Sequence, residues 1–466
     1  MKITSVQGSI EHAPNGYVRV NFTEETKGKN RLVKEKGNET LEIGVGKFAE
    51  LNRRKFLILC RSVIQSAKAN KIKKIAIQFD DVMREELAQL AAENFEMANF
   101  EFNIFKTKPE EGWSAVEEIY LAARHPSATI EKAIAKGQEI GRAVNACRVL
   151  ANTPGGDMTP TLLAKAAKDA VKGLPVKVKT LGEKEMQKLG MGAILGVAKG
   201  STETPTFTIM EYRGATGKPI VLAGKGVTFD SGGLNLKSSN GIYEMHMDMS
   251  GAAAAMYSVV LAARLKLKKH VIALLPSVEN MPGNNAVRPG DILKSLSGKT
   301  IEVTDTDAEG RLILADALTY AKRFKPSVVI DIATLTGAAH VALGDHASAL
   351  MTRDDALAEE LSRDGEESGD YVWRLPLWDE YEEKVKGTFA DVANIALGPN
   401  SRHGGAIDGG MFLWQFAKEL QCPWAHLDIA PKMTSVPSDE LAKGAAGTPV
   451  RLLIYFIEHY AVLNKD

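Results

Sequence analysis

Cysteine is scarce in this 466-residue chain: Cys60, Cys147 and Cys422 are widely spaced and odd in number. That excludes a disulfide framework and a paired-cysteine zinc finger. Net charge is lacking too. Lys plus Arg equals Asp plus Glu at 58 each, so no cation excess is on hand to displace the counterions of a polyanion, and nucleic acid is not indicated as a partner. The Lys-rich stretch TKGKNRLVKEK (26–36) is interrupted by glutamate and reads as a solvated loop. Long apolar runs are missing. The start, MKITSVQGSIEHAPNG, lacks the apolar core of a signal peptide. The most apolar helical segment, GAAAAMYSVVLAA, ends at Arg264 and is too short to span a bilayer. The expectation is a cytoplasmic protein with no membrane partner. Internal repeats and low-complexity tracts are absent as well.

What is present is a chain too long for one ordinary core, so two domains are expected. Residues 1–125 mix short apolar runs (FLILC, IAIQF, FEFNIF) with amphipathic stretches such as REELAQLAAENF, which predicts a smaller α/β domain. A long linker helix follows over 126–151, with Ser127 or Thr129 as its cap and Pro154-Gly155-Gly156 at its end. Residues 152–466 form the larger domain. There the apolar runs TFTIMEY, PIVLAG, HVIALLPSV, SVVIDIATL and WAHLDIA alternate with helical patterns, predicting a mostly parallel central sheet covered by helices. Sites in such sheets gather beyond the C-terminal strand ends. Asp230, Asp307, Asp331 and Asp428 are all placed there.

The segment GKGVTFDSGGLNLK (224–237) admits three readings. A phosphate loop fails twice, because Lys225 is followed by Gly226 and the required upstream glycine is Pro219. A serine-protease nucleophile segment is suggested by FDSGG, with TGAAHVA as its histidine segment. The order of the two is reversed and the chain is α/β, so Ser231 reads as a turn residue beside Gly232 and Gly233. A metal site gathers the most residues: Asp230, Asp248 in MHMDMSGAAA, and Asp307 with Glu309 in TDTDAEGRL. Helix-end N–H groups are expected to orient Asp248. Clustered carboxylates repel one another unless cations neutralise them, and hard oxygen donors suit Mg or Mn, or Zn. Two further residues stay open. An extended MHMDM would turn His246 to the same side as Asp248, making it a rival ligand. Lys225 either caps carbonyls in its Gly-rich turn or, as a neutral amine, ligates a metal. His340, His403 and His426 read as hydrogen-bonded structural residues.

Taken in order, GKGVTFDSGGLNLK, MHMDMSGAAA, TDTDAEGRLILADAL and IATLTGA resemble the leucyl (cytosol) aminopeptidase family of two-metal exopeptidases. TDAEGRL (306–312) is a specific signature, and the match extends over residues 130–466. The resemblance implies that Lys225, Asp230, Asp248 and Glu309 hold one divalent ion and that Asp230, Asp307 and Glu309 hold the other. The ions would be Mn or Zn, with Mg or Co as further candidates. A hydroxide shared by the two ions would attack the peptide carbonyl, and one ion would bind the free α-amine. Lys237 would stabilise the oxyanion. Arg311, assisted by the backbone at Leu335, would anchor a bicarbonate that shuttles the proton. Met245, Thr334, Gly337, Ala430 and Met433 fall where the family lines the pocket for the first side chain, here apolar and suited to Leu or Met. The family assembles as a homohexamer. Four positions depart from its usual pattern: Ser250, Asp305, Asp408 (where a small neutral or hydroxyl residue is usual) and Pro431. Two rival functions are a two-metal phosphoesterase and a hexameric scaffold or DNA-binding protein with an inactive site. The core motifs lack the histidines that the first would use, and every matched ligand is present against the second.

Overall fold

A computed structural model describes residues 1–26, 28–35, 37–78, 87–123, 127–396 and 403–461. By packing, the chain divides into two compact units. One gathers Met1–Asn145 with the excursion Ser435–Gly444, and the other gathers Ala146–Thr434 with the chain from Ala445 onward. The division falls within the helix Ala128–Asn152, which Ser127 starts by accepting from Ile130 N–H at 3.1 Å. The 125/126 boundary drawn from sequence, and the first residues of REELAQLAAENF, lie outside the described residues.

The smaller unit is α/β. Its six-stranded sheet runs in the order Lys2–Gln7, Glu118–Ala123, Lys74–Gln78, Val18–Thr23, Asn38–Gly44, Arg31–Glu35. Every pairing is parallel except the last, a hairpin. Phe56, Val63 and Ile64 of the helix Arg53–Ala69 fill the core against Ile75, Ile77 and Phe95.

The larger unit holds a nine-stranded sheet. Along it lie Val372–Arg374, Ser348–Met351, Trp424–Asp428, Val328–Ala333, Ile220–Gly224, His270–Asn280, Thr206–Arg213 and Val176–Leu181, with Gly226–Asp230 alongside His270–Asn280. The centre is parallel, and antiparallel pairs stand towards both ends. The central strands are buried along their whole length, as their continuous apolar runs require. Val221, Ala223, Ile272 and Leu274 cluster with Leu312, Leu314, Phe412 and Phe416. The alternate residues face the other way, and the Ala-rich helix Ser250–Arg264 packs against the same strands. This is the predicted mostly parallel sheet with helical cover. One strand departs: Thr300–Glu302, before Asp307, pairs in a separate three-stranded sheet with Ile292–Lys294 and Val392–Ala393. Among the described residues, no helix is long and apolar enough to cross a membrane.

The helix Gly310–Ala321 is pinned by a buried carboxylate. Asp316 accepts from the N–H groups of Ala193, Ile194 and Leu296 at 2.7–3.1 Å, so it satisfies the open N-terminus of the helix Gly192–Ala198. Asp316→Ala strands these buried donors and is expected to lower unfolding stability by about 3 kcal/mol, measured by denaturant titration.

Candidate active site

Strand Ile220–Gly224 is paired in parallel on both sides, with His270–Asn280 and with Val328–Ala333. At Lys225 the chain leaves this slot. Its N–H still donates to Ile332 O, and its carbonyl accepts from Ala252 N–H. Gly226–Asp230 then runs beside the second half of His270–Asn280. Lys225 and Asp230 therefore sit at the carboxyl ends of parallel strands, where neighbouring connections diverge and a crevice opens.

Lys225 points inward. Its Nζ lies 2.8 Å from Asp248 Oδ2, 2.8 Å from Glu309 Oε1 and 2.9 Å from the Thr334 carbonyl. Burial disfavours its charge, but Asp248, Glu309 and Asp230 outweigh that and raise its pKa. Gly310 makes the room: a Cβ there would stand 2.4–2.7 Å from Cε, Cδ and Nζ of Lys225. The amine is ion-paired and enclosed, so it cannot swing aside without losing its partners. Gly310→Ala is accordingly expected to keep the fold, seen by circular dichroism, and to weaken divalent-ion binding about tenfold or more, read by calorimetry.

Lys237 bridges the other carboxylates, with Nζ 2.9 Å from Asp230 Oδ2 and 2.6 Å from Asp307 Oδ1. Its side chain is 17 % exposed against 4 % for Lys225, so only Lys237 is open to an incoming molecule. The turn between Asp230 and Lys237 needs its glycines. Gly232 and Gly233 both have positive φ, and a Cβ on Gly232 would meet Asn235 O at 2.4 Å.

One oxygen each from Asp230, Asp307 and Glu309 lies within 4.8 Å of the others. Burial, then the Asp230 charge, pushes Asp307 up to about 7. Burial likewise raises Asp248 and Glu309. Asp248 Oδ2, Asp307 Oδ1 and Glu309 Oε1 are buried atoms whose polar contacts among the described residues are with lysine ammonium groups alone. Four carboxylates against two lysines leave the cluster short of positive charge. Hard, under-satisfied oxygen donors of this kind fit divalent cations.

Arg311, at the start of Gly310–Ala321, is buried. Its Nη1 donates to Asn394 O at 2.6 Å, and its Nε has no partner among the described residues. Leu335 follows the strand Val328–Ala333, and its N–H is committed to Asp428 Oδ1 at 3.0 Å rather than free to assist Arg311.

The residues expected to line a pocket fall on three segments. Met245 is half-buried on the 3₁₀ turn Met245–Met247, which packs against Gly226–Asp230. Thr334 is buried, Leu335 is half-buried, and Gly337 is exposed at the start of the helix Gly337–Leu343. That helix packs against the turn Ala430–Lys432, and Ala430 and Met433 are half-buried there.

Several sequence expectations are corrected. MHM is a 3₁₀ turn rather than extended, so the alternation that paired His246 with Asp248 does not exist. Asp248 is oriented by Thr334 Oγ1 at 2.6 Å and by Lys225, not by helix-end N–H groups. Asp331 does not face the crevice: it accepts from Trp424 Nε1 and pairs with His426 inside the sheet. Asp428 serves the loop after Val328–Ala333, accepting from Leu335 N–H, Thr336 Oγ1 and Ala430 N–H. The departures are absorbed locally. Ser250 Oγ donates to Met247 O, Asp305 accepts from Asp307 N–H, and Pro431 sits at the start of the 3₁₀ turn Ala430–Lys432. Two positioning residues were missed. Asn280 Nδ2 donates to Asp230 Oδ1 (2.8 Å) and to Thr306 O (2.9 Å), while Asn394 fixes the Thr304–Asp305 backbone from both its amide atoms. A buried asparagine closing the apolar strand HVIALLPSVEN was the available signal for the first.

A family model described as the cytosol aminopeptidase family, catalytic domain, matches residues 145–454, and one described as that family's N-terminal domain matches residues 31–109. A probable cytosol aminopeptidase of a Geobacter species is 46% identical over 365 residues, 78% of this chain and 73% of the relative. One from Burkholderia mallei is 47% identical over 361 residues, 77% of this chain and 70% of the relative. Among solved structures, a lysine-to-glutamate mutant of tomato leucine aminopeptidase gives a TM-score of 0.88 at 28% identity, covering 99% of this chain and 97% of that one. The bottromycin maturation enzyme BotP in complex with Mn gives 0.84 at 29% identity, covering 95% and 98%. The chain that builds this carboxylate–lysine crevice belongs to the cytosol aminopeptidase family and is a metallo-exopeptidase, a hydrolase that acts on peptides.

Proposed function

We propose that the enzyme removes apolar first residues such as Leu or Met from peptides with a free N-terminus, and that Lys225, Asp230, Asp248, Asp307 and Glu309 hold two divalent ions. The observation that carries this reading is the set of buried carboxylate oxygens served, among the described residues, by two lysine ammonium groups alone. Lys225 with Asp248 and Glu309 marks one position, and Asp230, Asp307 and Glu309 mark the other. Manganese is favoured by the likeness to a Mn-bound structure; Zn, Mg and Co suit the same donors. Ions held there supply Lewis acidity for the scissile carbonyl, a water acidified towards neutral pH and a docking point for a free amine.

The protein's own groups do the rest. Lys225 is the enclosed lysine and would hold an ion as the neutral amine, its proton released to solvent on metal binding. Lys237 is the open lysine and stabilises the oxyanion as charge develops, worth about 3 kcal/mol or more. Arg311 would hold a bicarbonate, a reading that its unpartnered Nε supports, and such an anion would supply a proton relay for the leaving amine. The enzyme works in the cytoplasm, as the names of its relatives support, and its assembly as a homohexamer rests on the family resemblance alone.

Met245, Ala430 and Met433 form the wall of an apolar first-residue pocket, and Gly337 leaves it depth. Leu and Met substrates are expected to surpass Asp, Glu and Gly through burial worth about 1.5–3 kcal/mol. A panel of aminoacyl amides assayed with Mn, Zn, Mg and Co tests both metal and residue preference. A strong preference for acidic first residues would contradict the pocket assignment.

A further inference from the structure

Asp408 is a buried carboxylate that the proposed reaction does not use. It lies on the helix Gly405–Ala417, is 3 % exposed, and accepts from Lys384 Nζ at 2.9 Å through Oδ2. Lys384 also donates to the His403 carbonyl, which holds it in place. Asp408 Oδ1 is buried and receives no hydrogen bond from the described residues. The helix carrying it packs against the helix of Arg311. The contact is close at the next residue: a Cβ on Gly409 would stand 3.4 Å from Arg311 Nη2. Asp408 and Arg311 each feel the other's charge. Two packed helices thus bury an acceptor lacking a donor, Asp408 Oδ1, on one, and a donor lacking an acceptor, Arg311 Nε, on the other.

An anion without a proton would answer only half of this arrangement. It would accept from Arg311 but face the Asp408 carboxylate, whose charge and bare lone pairs repel it. A hydrogen-bearing oxyanion answers both halves, accepting from the guanidinium and donating its O–H to Oδ1. We infer that Asp408 makes the anion position at Arg311 selective for oxyanions that carry their own proton, hydrogencarbonate in particular. This rests on the reading of Arg311 as an anion holder and adds to it a specificity-determining residue.

Nitrate is the comparator, because it shares the planar shape and single charge of hydrogencarbonate and lacks its proton. Binding of both anions to the metal-loaded enzyme is measured by calorimetry, with ¹³C-labelled hydrogencarbonate followed by NMR as a readout independent of turnover. Wild-type enzyme is expected to prefer hydrogencarbonate by about tenfold or more, the worth of one charge-assisted hydrogen bond. Asp408→Asn, and separately Asp408→Ser, are expected to bring the two affinities within about threefold, with nitrate gaining. Equal affinities in the wild type, or an unchanged ratio in either folded variant, would overturn the role of Asp408 while leaving Arg311 as an anion holder. If neither anion binds the wild type, or if Arg311→Met binds both as before, the Arg311 reading fails and the selectivity with it.

Discussion

Replacing Lys237 by alanine is expected to lower kcat by about a hundredfold or more while leaving metal content at the wild-type level. Lys237 follows the Ser231-Gly232-Gly233 turn, and its side chain is the more open of the two lysines, 17 % exposed against 4 %. A cation placed there can meet charge that develops on a substrate only in the transition state, so KM should move less than kcat. Of the two carboxylates that Lys237 touches, Asp230 keeps supports of its own without it. Asp230 Oδ1 still accepts from Gly232 N–H and Asn280 Nδ2. Kinetics and elemental analysis on one preparation check the result. Loss of metal in step with activity would instead make Lys237 a structural partner of the carboxylates.

Lys225→Ala is expected to behave in the opposite way. Lys225 fills an enclosed slot between Asp248, Glu309 and the Thr334 carbonyl. Alanine there removes a proposed ligand and leaves buried carboxylates without a counter-charge, so one metal position should empty at ordinary concentrations. Activity should fall by about a hundredfold or more and return in part at high metal concentration, because mass action refills a weakened position. Full metal occupancy in Lys225→Ala together with metal loss in Lys237→Ala would reverse the two assignments.

Much of this crevice is legible along the chain because its charged residues come in short, crowded motifs. TDTDAEGRL places Asp307, Glu309 and Arg311 within five residues, at the entrance to a helix whose apolar periodicity is plain. GKGVTFDSGGLNLK does the same for Lys225, Asp230 and Lys237. The central sheet is legible too, since strands buried on both faces must be continuously apolar. What sequence leaves hidden is the long-range hydrogen bonding. Asn280 and Asn394 are single amides at element ends, and their partners Asp230 and Asp305 lie 50 and 89 residues away. His246 shows a different failure. Alternation in MHMDM has meaning only on a strand, and the local turn ahead of Ser250–Arg264 removes that premise. The excursion Ser435–Gly444 is hidden for the same reason as the asparagines. Arg61, for example, donates to the Asp439 carbonyl across 378 positions.

The most direct test is the number of divalent ions bound per chain, measured by calorimetry as Mn is added to chelator-stripped enzyme while leucine amide hydrolysis is followed in parallel. Two ions per chain are predicted, with activity abolished by stripping, restored as the second ion binds, and withheld from N-acetyl-leucine amide throughout. Full activity in the stripped protein, a single bound ion at full activity, or N-acetylated substrate cleaved as fast as the free amine would contradict the two-ion site built from Lys225, Asp230, Asp248, Asp307 and Glu309.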